Sequence, residues 1–486
     1  MIKELHSNRH SHKTLGEDSA DLHAGGVKSL DGRVVSESAI QEFKGTIRGK
    51  VLRPGSEEYE QARRIWNANI VKYPSIIVKC AGVADVVSSV NFARNNNILV
   101  SIKGGGHSIP GLGLCDGGMT IDLASFKGIR VDPKNSTARA GTGVTWGEYD
   151  HETQLFGLAS TGGEISTTGI SGLTLGGGVG WLNGVCGTAC DNLISADVVT
   201  ADGNLVTADL DHNQDLYWAL RGAGGNFGVV TSMKYRLRPV GMTLSGFIAW
   251  HPKKTRDVMD FLSGFVKDLP DEMGKIGVEA ISDKEGRPMV IIRPGWFGDI
   301  EEGRRILEPI RKLGEPLYDR LRPMTYEEMQ SQRDAYWPWG RQNYFKAGFV
   351  DEFTDDFIET YCEHTKNPSS PHNQIAIEFY HGAYSRRRID EMAYPHRRVA
   401  WNLAIGGSWT DPADNEKNIS YVKEFWDDIE PTTSGGVYVN FMSAGEEDRV
   451  KVAYGPNYDR LVSIKNKYDP TNLFRVNENI KPNRGS

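Results

Sequence analysis

The sequence predicts an α+β protein in which a glycine-rich half precedes a half of ordinary glycine content. Of the 55 glycines among the 486 residues, 27 fall between Gly104 and Gly228. Beyond Pro239, segments with helical spacing alternate with short apolar runs, which predicts an antiparallel sheet covered by helices. The length suggests two or three domains. We place the main boundary near residue 241.

The first half alternates strands and helices from residue 76 onward. Strands are predicted at 76–78, 98–102, 119–123, 129–131, 137–140, 196–200 and 227–237, and helices at 82–95, 145–154 and 215–220. Thr145 is expected to cap its helix, with Trp146, Tyr149 and Leu155 facing inward. Asp202-Gly203 predicts a hairpin turn.

The second half and the N-terminus have simpler patterns. Helices are predicted at 255–269, 301–313, 355–364 and 415–429, and strands at 277–280, 289–293, 374–380, 401–405 and 437–441. Residues 1–45 are polar and contain four of the twelve histidines, which predicts a mobile tail or an extended arm.

Composition limits the function classes. The net charge of −7 gives no reason to expect nucleic acid or anionic membrane as a partner. No apolar run approaches the roughly 18 residues of a membrane-spanning helix, and the first residues show no apolar signal region. Five cysteines form an odd, sparse set, which favours reduced thiols and a cytoplasmic location. We expect no metal site.

Four motifs carry the chemistry. The first, at 103–111, is a predicted strand that runs into Gly104-Gly105-Gly106-His107, where successive N–H groups can converge on phosphate. The second, at 167–181, alternates Leu and Ile with small residues, so a ring or pyrophosphate can approach the backbone. It fits a Rossmann fingerprint poorly, because neither a strong preceding strand nor a closing acidic residue is present. The third and fourth lie at 221–230 and at 454–458 with 468–474. For any one motif alone, a tight turn stays a valid alternative.

In this order, across 73–239 and 436–482, these motifs resemble the berberine bridge enzyme-like branch of the vanillyl-alcohol oxidase flavoprotein superfamily. The Gly-Leu-Thr-Leu-Gly-Gly-Gly run at 172–178 is similar to the prokaryotic branch that includes 6-hydroxy-D-nicotine oxidase. The resemblance implies an arm at 1–45, a two-part FAD-binding domain at 46–241, a substrate domain at 242–440, and a C-terminal segment at 441–486 that returns to the FAD domain. It also implies FAD as cofactor.

The resemblance further implies how the FAD is held. His107 corresponds to the histidine that is joined covalently to the 8α-methyl of the flavin. A cysteine makes a second link in several relatives, but its position falls at Ile165 here, so a single link is expected. Cys186 is expected to be a buried thiol, as is Cys190. The alternative is that Cys186 forms a second link to the flavin. The FAD contacts implied are Lys103, Gly104, Gly105, Gly106, His107, Ser108, Gly111, Gly163, Thr168, Gly169, Ser171, Gly172, Gly176, Gly177, Gly178, Gly180, Trp181, Gly187, Val230, Tyr454, Asn457 and Asn477.

The substrate side is expected on the strand 374–380. Alternation puts Gln374, Ala376, Glu378 and Tyr380 on one face. Glu378 among apolar neighbours, or Tyr380, could accept a proton as hydride leaves. An ordinary salt bridge from Glu378 to Arg397 or Arg398 is the alternative.

The resemblance assigns further roles on this side. Glu378 matches an active-site glutamate, Asn440 matches a substrate-contacting asparagine, and the relatives' nearby lysine falls at Ala376. Phe441 stands near the place of a tyrosine base in plant relatives. The aromatic stretches at 336–340 and 344–346 predict either a stacking wall or a packed loop. The expected substrate pocket comprises Ile165, Ala376, Trp339 and Phe441.

The sequence thus favours an FAD-dependent oxidase. It would take hydride from a C–H next to oxygen, nitrogen or an aromatic ring of a small substrate and reduce O2 to hydrogen peroxide. The alternatives are a dehydrogenase with another acceptor, a flavin-holding cyclase or lyase, and an NAD-binding protein with similar loops. A monomer or a homodimer is expected.

Overall fold

The computed structural model describes residues 26–483. Most of the expected N-terminal arm therefore lies outside the described residues. For its described part, the prediction of a tail or arm is wrong, because helix α1 (Glu37–Thr46) begins after a Ser36 cap and buries Ile40 and Phe43. The ring of Phe43 stacks on Phe92 with centroids 4.2 Å apart. Two buried apolar residues one turn apart give this segment a core-facing side.

The first half contains two main sheets. Strands β1 (Lys50–Leu52), β2 (Ile76–Lys79), β3 (Val100–Lys103) and β4 (Met119–Asp122) form the first, in the order β1-β2-β4-β3. Helices α2 (Glu57–Ala62) and α3 (Val83–Asn95) accompany it. The pairs β2–β4 and β3–β4 are parallel. Their side chains are almost all buried, as expected for parallel strands.

The second sheet is antiparallel. It contains β5 (Ile129–Asp132), β6 (Thr137–Gly141), β8 (Leu193–Val199), β9 (Leu205–Ala208) and β10 (Val229–Arg236), in the order β5-β6-β10-β8-β9, while β7 (Leu158–Ala159) pairs with β11 (Arg238–Pro239). Its helices are α4 (Trp146–Gln154), α5 (Ile170–Leu175), α6 (Asn183–Cys186) and α7 (Gln214–Leu220).

The second half is built on one large antiparallel sheet. Its strands are β12 (Thr243–Ser245), β13 (Ile248–Trp250), β14 (Met273–Ser282), β15 (Pro288–Trp296), β16 (Tyr318–Asp319), β17 (Arg322–Met324), β18 (Gln342–Val350), β19 (Gln374–Phe379) and β20 (Trp401–Trp409). The central order is β16-β13-β15-β14-β19-β20-β18. The helices are α8 (Thr255–Phe265), α9 (Ile300–Arg311), α10 (Tyr326–Ser331), α11 (Asp355–Lys366) and α12 (Asn415–Ile429), followed by α13 (Val450–Tyr454) and α14 (Tyr458–Tyr468).

Most predicted elements of the sheets are confirmed, and the capping prediction at Thr145 is too. The Thr145 hydroxyl accepts from the Glu148 N–H, and the Glu148 carboxylate accepts from the Thr145 N–H, which completes a capping box. The inward placement of Leu155 is wrong: its side chain is 76% exposed, because the helix ends at Gln154 and the chain turns outward.

Two further expectations near the site are corrected. The strand predicted at 437–441 is instead a 3₁₀ turn over Val439–Phe441, preceded by two glycines with positive φ, Gly435 and Gly436. The aromatic segment 344–346 is not a loop, since it lies in β18 and pairs with β20. Within residues 26–483, no helix combines the length and the apolar character needed to cross a membrane.

Candidate active site

A cavity of about 370 Å³ lies between the glycine-rich loops of the first half and one face of the large sheet. The loop after β3 and the start of α5 form one wall, and β19 and β20 form the opposite wall. The turn Val439–Phe441 closes a third side. Such a concave site between two structural units is where ligands commonly bind.

Two glycine loops meet backbone to backbone beneath this cavity. A Cβ added to Gly105 would lie 2.5 Å from Cα of Gly169, and one added to Gly169 would lie 2.6 Å from N of Gly105. A Cβ on Gly104 would meet the Ser171 hydroxyl at 2.6 Å. Glycine is required at these positions because any side chain would push the loops apart.

Other glycines have open space in front of them. A Cβ on Gly172 or Gly225 would have no atom within 4 Å, and both residues line the cavity. The structure therefore leaves bare backbone facing an empty volume. Such surfaces allow a flat or phosphate-bearing group to approach the main chain closely.

His107 lies in the cavity wall directly after the glycine run. Its ring stacks on Trp66, with centroids 4.4 Å apart and planes 17° from parallel. The Thr167 hydroxyl oxygen is 3.4 Å from Nε2. Burial lowers the pKa of His107 to about 3. The imidazole is therefore neutral at physiological pH, and a ring nitrogen keeps a lone pair that can form a bond to carbon.

A network of charged side chains lies at the sheet wall, and Glu164, Arg333 and Glu378 line the cavity. Nζ of Lys275 donates to Oε1 of Glu378 at 2.6 Å and also to the Glu164 carboxylate. Arg333 donates to Glu164 at 2.7 Å and to the amide oxygen of Gln374 at 3.1 Å. Each carboxylate at this wall thus has a cation as hydrogen-bond donor.

This network corrects the expected surroundings of Glu378. Its neighbours are not only apolar, and its cation is Lys275 rather than Arg397 or Arg398. Arg397 instead pairs with the buried Asp191 at 2.8 Å, and Arg398 donates to the carbonyl oxygen of Ser385 at 2.7 Å.

The charges set two pKa values at this wall. Burial lowers the pKa of Lys275 to about 8, against the opposing effect of Glu378. Burial alone would raise the pKa of Glu279, but Arg333 and Arg293 together lower it to about 2. Nε of Arg293 donates to Glu279 at 3.0 Å. Glu279 is therefore ionised, and Lys275, with its pKa still above neutral pH, keeps its charge there.

Tyr438 and Asn440 form a second polar group at the turn Val439–Phe441. The Tyr438 hydroxyl oxygen accepts from the N–H of Gly178 at 3.0 Å, from that of Val179 at 3.3 Å and from Nδ2 of Asn440 at 2.8 Å. Burial raises the pKa of Tyr438 to about 12. Asn440 packs on Gly176, where a Cβ would lie 2.1 Å from its Oδ1.

Comparison with known proteins agrees with this geometry. An FAD binding domain model matches residues 74–209, and a berberine and berberine-like model matches residues 437–481. An FAD-linked oxidoreductase of Dictyostelium discoideum is 31% identical over 91% of this chain and 97% of its own length. The chain belongs to the berberine bridge enzyme-like FAD-linked oxidoreductases.

Two further members of this family are similar along nearly the whole chain. The (R)-6-hydroxynicotine oxidase of Paenarthrobacter nicotinovorans is 30% identical over 90% of this chain and 97% of its own. The crystal structure of 6-hydroxy-D-nicotine oxidase from Arthrobacter nicotinovorans matches with a TM-score of 0.81 and 28% identity. That match covers 90% of this chain and 98% of the other. The predicted family, the α+β fold, FAD as cofactor and the oxidoreductase class are confirmed.

The residues present fit the FAD of this family. The bare backbone at Gly172 and Gly225, the tight contact of Gly105 with Gly169, and the neutral His107 together form a cradle that a side chain would fill. The cavity is also lined by these other predicted contacts: Lys103, Gly104, Gly106, Ser108, Gly163, Thr168, Ser171, Gly176, Val230, Tyr454 and Asn477.

The remaining predicted FAD contacts do not line the cavity: Gly111, Gly177, Gly178, Gly180, Trp181, Gly187 and Asn457. Two of these glycines instead pack tightly on neighbouring loops. A Cβ on Gly180 would meet the carbonyl oxygen of Gly162 at 1.7 Å, and one on Gly187 would meet Asp191 at 2.3 Å. Lys103 does line the cavity, yet its ammonium donates to the carbonyl oxygen of Ala62 at 2.6 Å.

The structure brings together only some of the residues predicted on the substrate side. Ile165, Ala376, Glu378, Asn440 and Phe441 line the cavity. Tyr380 does not, although its hydroxyl donates to Oε2 of Glu378 at 3.2 Å. Trp339 lines a neighbouring surface pocket behind the glycine run and is 43% exposed. Its place in the wall is taken by Trp337 and Phe345, whose centroids are 5.1 Å apart.

Cys186 is placed as a buried thiol. Its Sγ lies 3.2 Å from Oγ1 of Thr161, and it does not line the cavity, whereas Ile165 does.

Sequence reasoning missed Trp66, Glu164, Lys275, Arg333 and Tyr438. Tyr438 stands beside Asn440 in the C-terminal motif, which was a usable signal. Glu164 follows the Gly162-Gly163 pair, so a loop side chain at the site could have been expected. Lys275 and Arg333 carry no local signal, because their hydrogen-bond partners lie between 41 and 169 residues away in the sequence.

Proposed function

We propose that this family member is an oxidase that takes hydride from a C–H next to oxygen, nitrogen or an aromatic ring and reduces O2 to hydrogen peroxide. The FAD, when bound, supplies the hydride acceptor and the reaction with O2. The observation that supports this best is a cation-paired carboxylate, Glu378, across the cavity from the glycine loops. A positioned carboxylate can accept the proton that accompanies hydride loss.

The local hydrogen bonds favour Glu378 over Tyr380 as the proton acceptor. Burial raises the pKa of Tyr380 well above its ordinary value, so its hydroxyl stays protonated. It donates to Glu378 and orients that carboxylate. Asn440, which lines the cavity, contributes by donating to the hydroxyl oxygen of Tyr438 and to the carbonyl oxygen of Leu173.

The lining suggests an uncharged substrate with a ring or another apolar face. Trp337, Phe345 and Phe441 supply aromatic surface, and flat rings stack well on such surfaces. The ionisable side chains of the nearby network balance, with Glu164, Glu279 and Glu378 against Lys275, Arg293 and Arg333. A neutral network gives no net attraction for an ion.

The function is tested by anaerobic mixing with a panel of alcohols, amines, phenols and sugars. Bleaching of the flavin absorbance and peroxide formation after air is admitted identify a substrate. Glu378→Gln should then slow flavin reduction by roughly 10²- to 10⁴-fold. Glu359→Gln, a matched change on an exposed helix, should leave the rate unchanged. A substrate converted without flavin bleaching and without peroxide would instead indicate a cyclase or lyase.

A covalent bond between the flavin and His107 is part of this proposal. The neutral imidazole in the cavity wall supports it. Acid precipitation should leave a yellow pellet for the natural protein and a yellow supernatant for His107→Ala. A yellow supernatant from the natural protein would refute the single link, and a yellow pellet from His107→Ala would assign the link elsewhere.

We further propose a cytoplasmic monomer or homodimer whose partners are a small molecule and O2, with neither nucleic acid nor membrane involved. The five cysteines are free thiols, which supports a reducing compartment. Sedimentation of the purified protein tests the oligomeric state, and fractionation of the native cells tests the location.

A further inference from the structure

Lys275 lies next to the cavity without lining it. It lies on β14, is 3% exposed and does not line the cavity. Both carboxylates that it contacts, Glu378 and Glu164, do line the cavity. The lysine therefore acts on the site only through these neighbours.

The charged groups around Lys275 divide into two sets. Arg333 lies 2.7 Å from Glu164 and 3.3 Å from Glu279, and Arg293 lies 3.0 Å from Glu279. Lys275, by contrast, is the cation hydrogen-bonded to Glu378 among the residues that the structure describes. On the other side of Glu378, Tyr380 supplies a neutral hydroxyl donor.

The remaining face of Lys275 is aromatic. Its Nζ lies 5.3 Å from the ring centroid of Trp181, which favours a cation at this point. The two arginines therefore compensate the other two carboxylates, while the charge of Glu378 depends on Lys275. A buried carboxyl group without a nearby cation takes up a proton, because burial disfavours the charged form.

We propose that Lys275 is a positioning residue that keeps Glu378 ionised at the cavity wall, so that a proton acceptor is present at neutral pH. This rests on the proposed function. In that reaction the substrate C–H bond breaks with both electrons going to the flavin. The substrate O–H or N–H proton goes to the Glu378 carboxylate, and the product gains a double bond.

The first test compares the pH dependence of flavin reduction. In Lys275→Met, the pH at which the rate rises should move upward by about two pH units. The reason is that a cation at this distance lowers the pKa of a carboxyl group by about one to three units. On the acid limb, where the rate of both proteins still rises with pH, the rate of Lys275→Met is accordingly about 100-fold lower, while Lys275→Arg retains most of it. Lys346→Met removes another lysine that pairs with a buried glutamate, Glu446, and serves as the matched control.

A second readout does not depend on turnover. Infrared spectra of Lys275→Met should show the carbonyl band of a protonated carboxyl group near neutral pH, which Glu378→Gln in the same background removes. In the natural protein, the difference from Glu378→Gln should show a carboxylate band only. That comparison remains usable if Lys275→Met does not fold.

The outcomes separate the two proposals. Absence of the new band in a folded Lys275→Met, or a protonated Glu378 in the natural protein at neutral pH, overturns the role of Lys275 whatever the substrate. An unchanged pH profile in Lys275→Met does the same. If Glu378→Gln oxidises substrate at full rate, the proposed base is wrong, even when the infrared bands behave as expected.

Discussion

Gly172→Ala is expected to separate cofactor binding from folding. Gly172 lies inside the helix Ile170–Leu175, and an added Cβ meets no atom of the protein within 4 Å. Alanine in a helix interior stabilises by about 0.5–1 kcal/mol relative to glycine. The apoprotein should therefore be as stable as the natural protein or slightly more stable.

The cost should appear only when FAD binds. The new methyl group enters the cavity that the cofactor must fill, and overpacking of a well-fitted site costs about 1–3 kcal/mol. At 1.4 kcal/mol per tenfold, FAD affinity should fall by roughly 5- to 150-fold. The measurement is a titration of apoprotein with FAD, followed by flavin fluorescence, in the His107→Ala background, where binding is expected to be reversible.

Gly105→Ala is the matched control. Its Cβ would lie 2.5 Å from Cα of Gly169, so the two loops must separate even without cofactor. Here the apoprotein itself should lose about 1–3 kcal/mol of unfolding free energy. If Gly172→Ala binds FAD as tightly as its parent, or if it destabilises the apoprotein as Gly105→Ala does, the placement of FAD over Gly172 is wrong.

Three further predictions concern groups around the cavity. Asn440→Ala removes one of the three donors to the Tyr438 oxygen; the flavin reduction rate should fall while the melting temperature changes little, and an unchanged rate would contradict a role at the site. Arg397→Met removes the buried cation that lies 2.8 Å from Asp191 and leaves this buried carboxylate only Arg387 at 3.9 Å; it should cost about 3–5 kcal/mol in denaturant unfolding, and a loss below 1 kcal/mol would argue against it. Burial lowers the pKa of His396 to about 4; its contribution to stability is present above pH 6.5 and is lost as the pH falls toward 4, so His396→Gln should flatten the acid limb of the stability profile, and an equally steep limb would refute this.

Much of the fold follows from local signals. The capping box at Thr145 needs only residues within one helical turn, and the parallel strands at 76–79 and 119–122 are short apolar runs between turns. The strand Gln342–Val350 was not predicted, because its aromatic residues also fit a packed loop. Only its pairing with Trp401–Trp409 distinguishes a strand from a loop here. Pairing between distant strands leaves no trace in either segment alone.

The candidate site divides in the same way. The glycine loops could be predicted, because a backbone that must approach a ligand closely restricts each position to glycine, whereas the role of His107 was implied by the resemblance of these motifs to a flavoprotein family. The surroundings of Glu378 could not. Its partner Lys275 comes from another strand, 103 positions earlier, and a charge is neutralised by whichever group the fold places beside it.

The sequence by itself determined that the chain builds an FAD cradle and which histidine stands at its end. Backbone conformation and residue size are local properties, so the residue at each position is enough to predict them. Only the tertiary structure decided that Trp337 and Phe345 face the cavity while Trp339 faces outward, and that a lysine and two arginines balance the buried carboxylates. Those outcomes depend on distances between distant segments, which come into being when the two halves pack together.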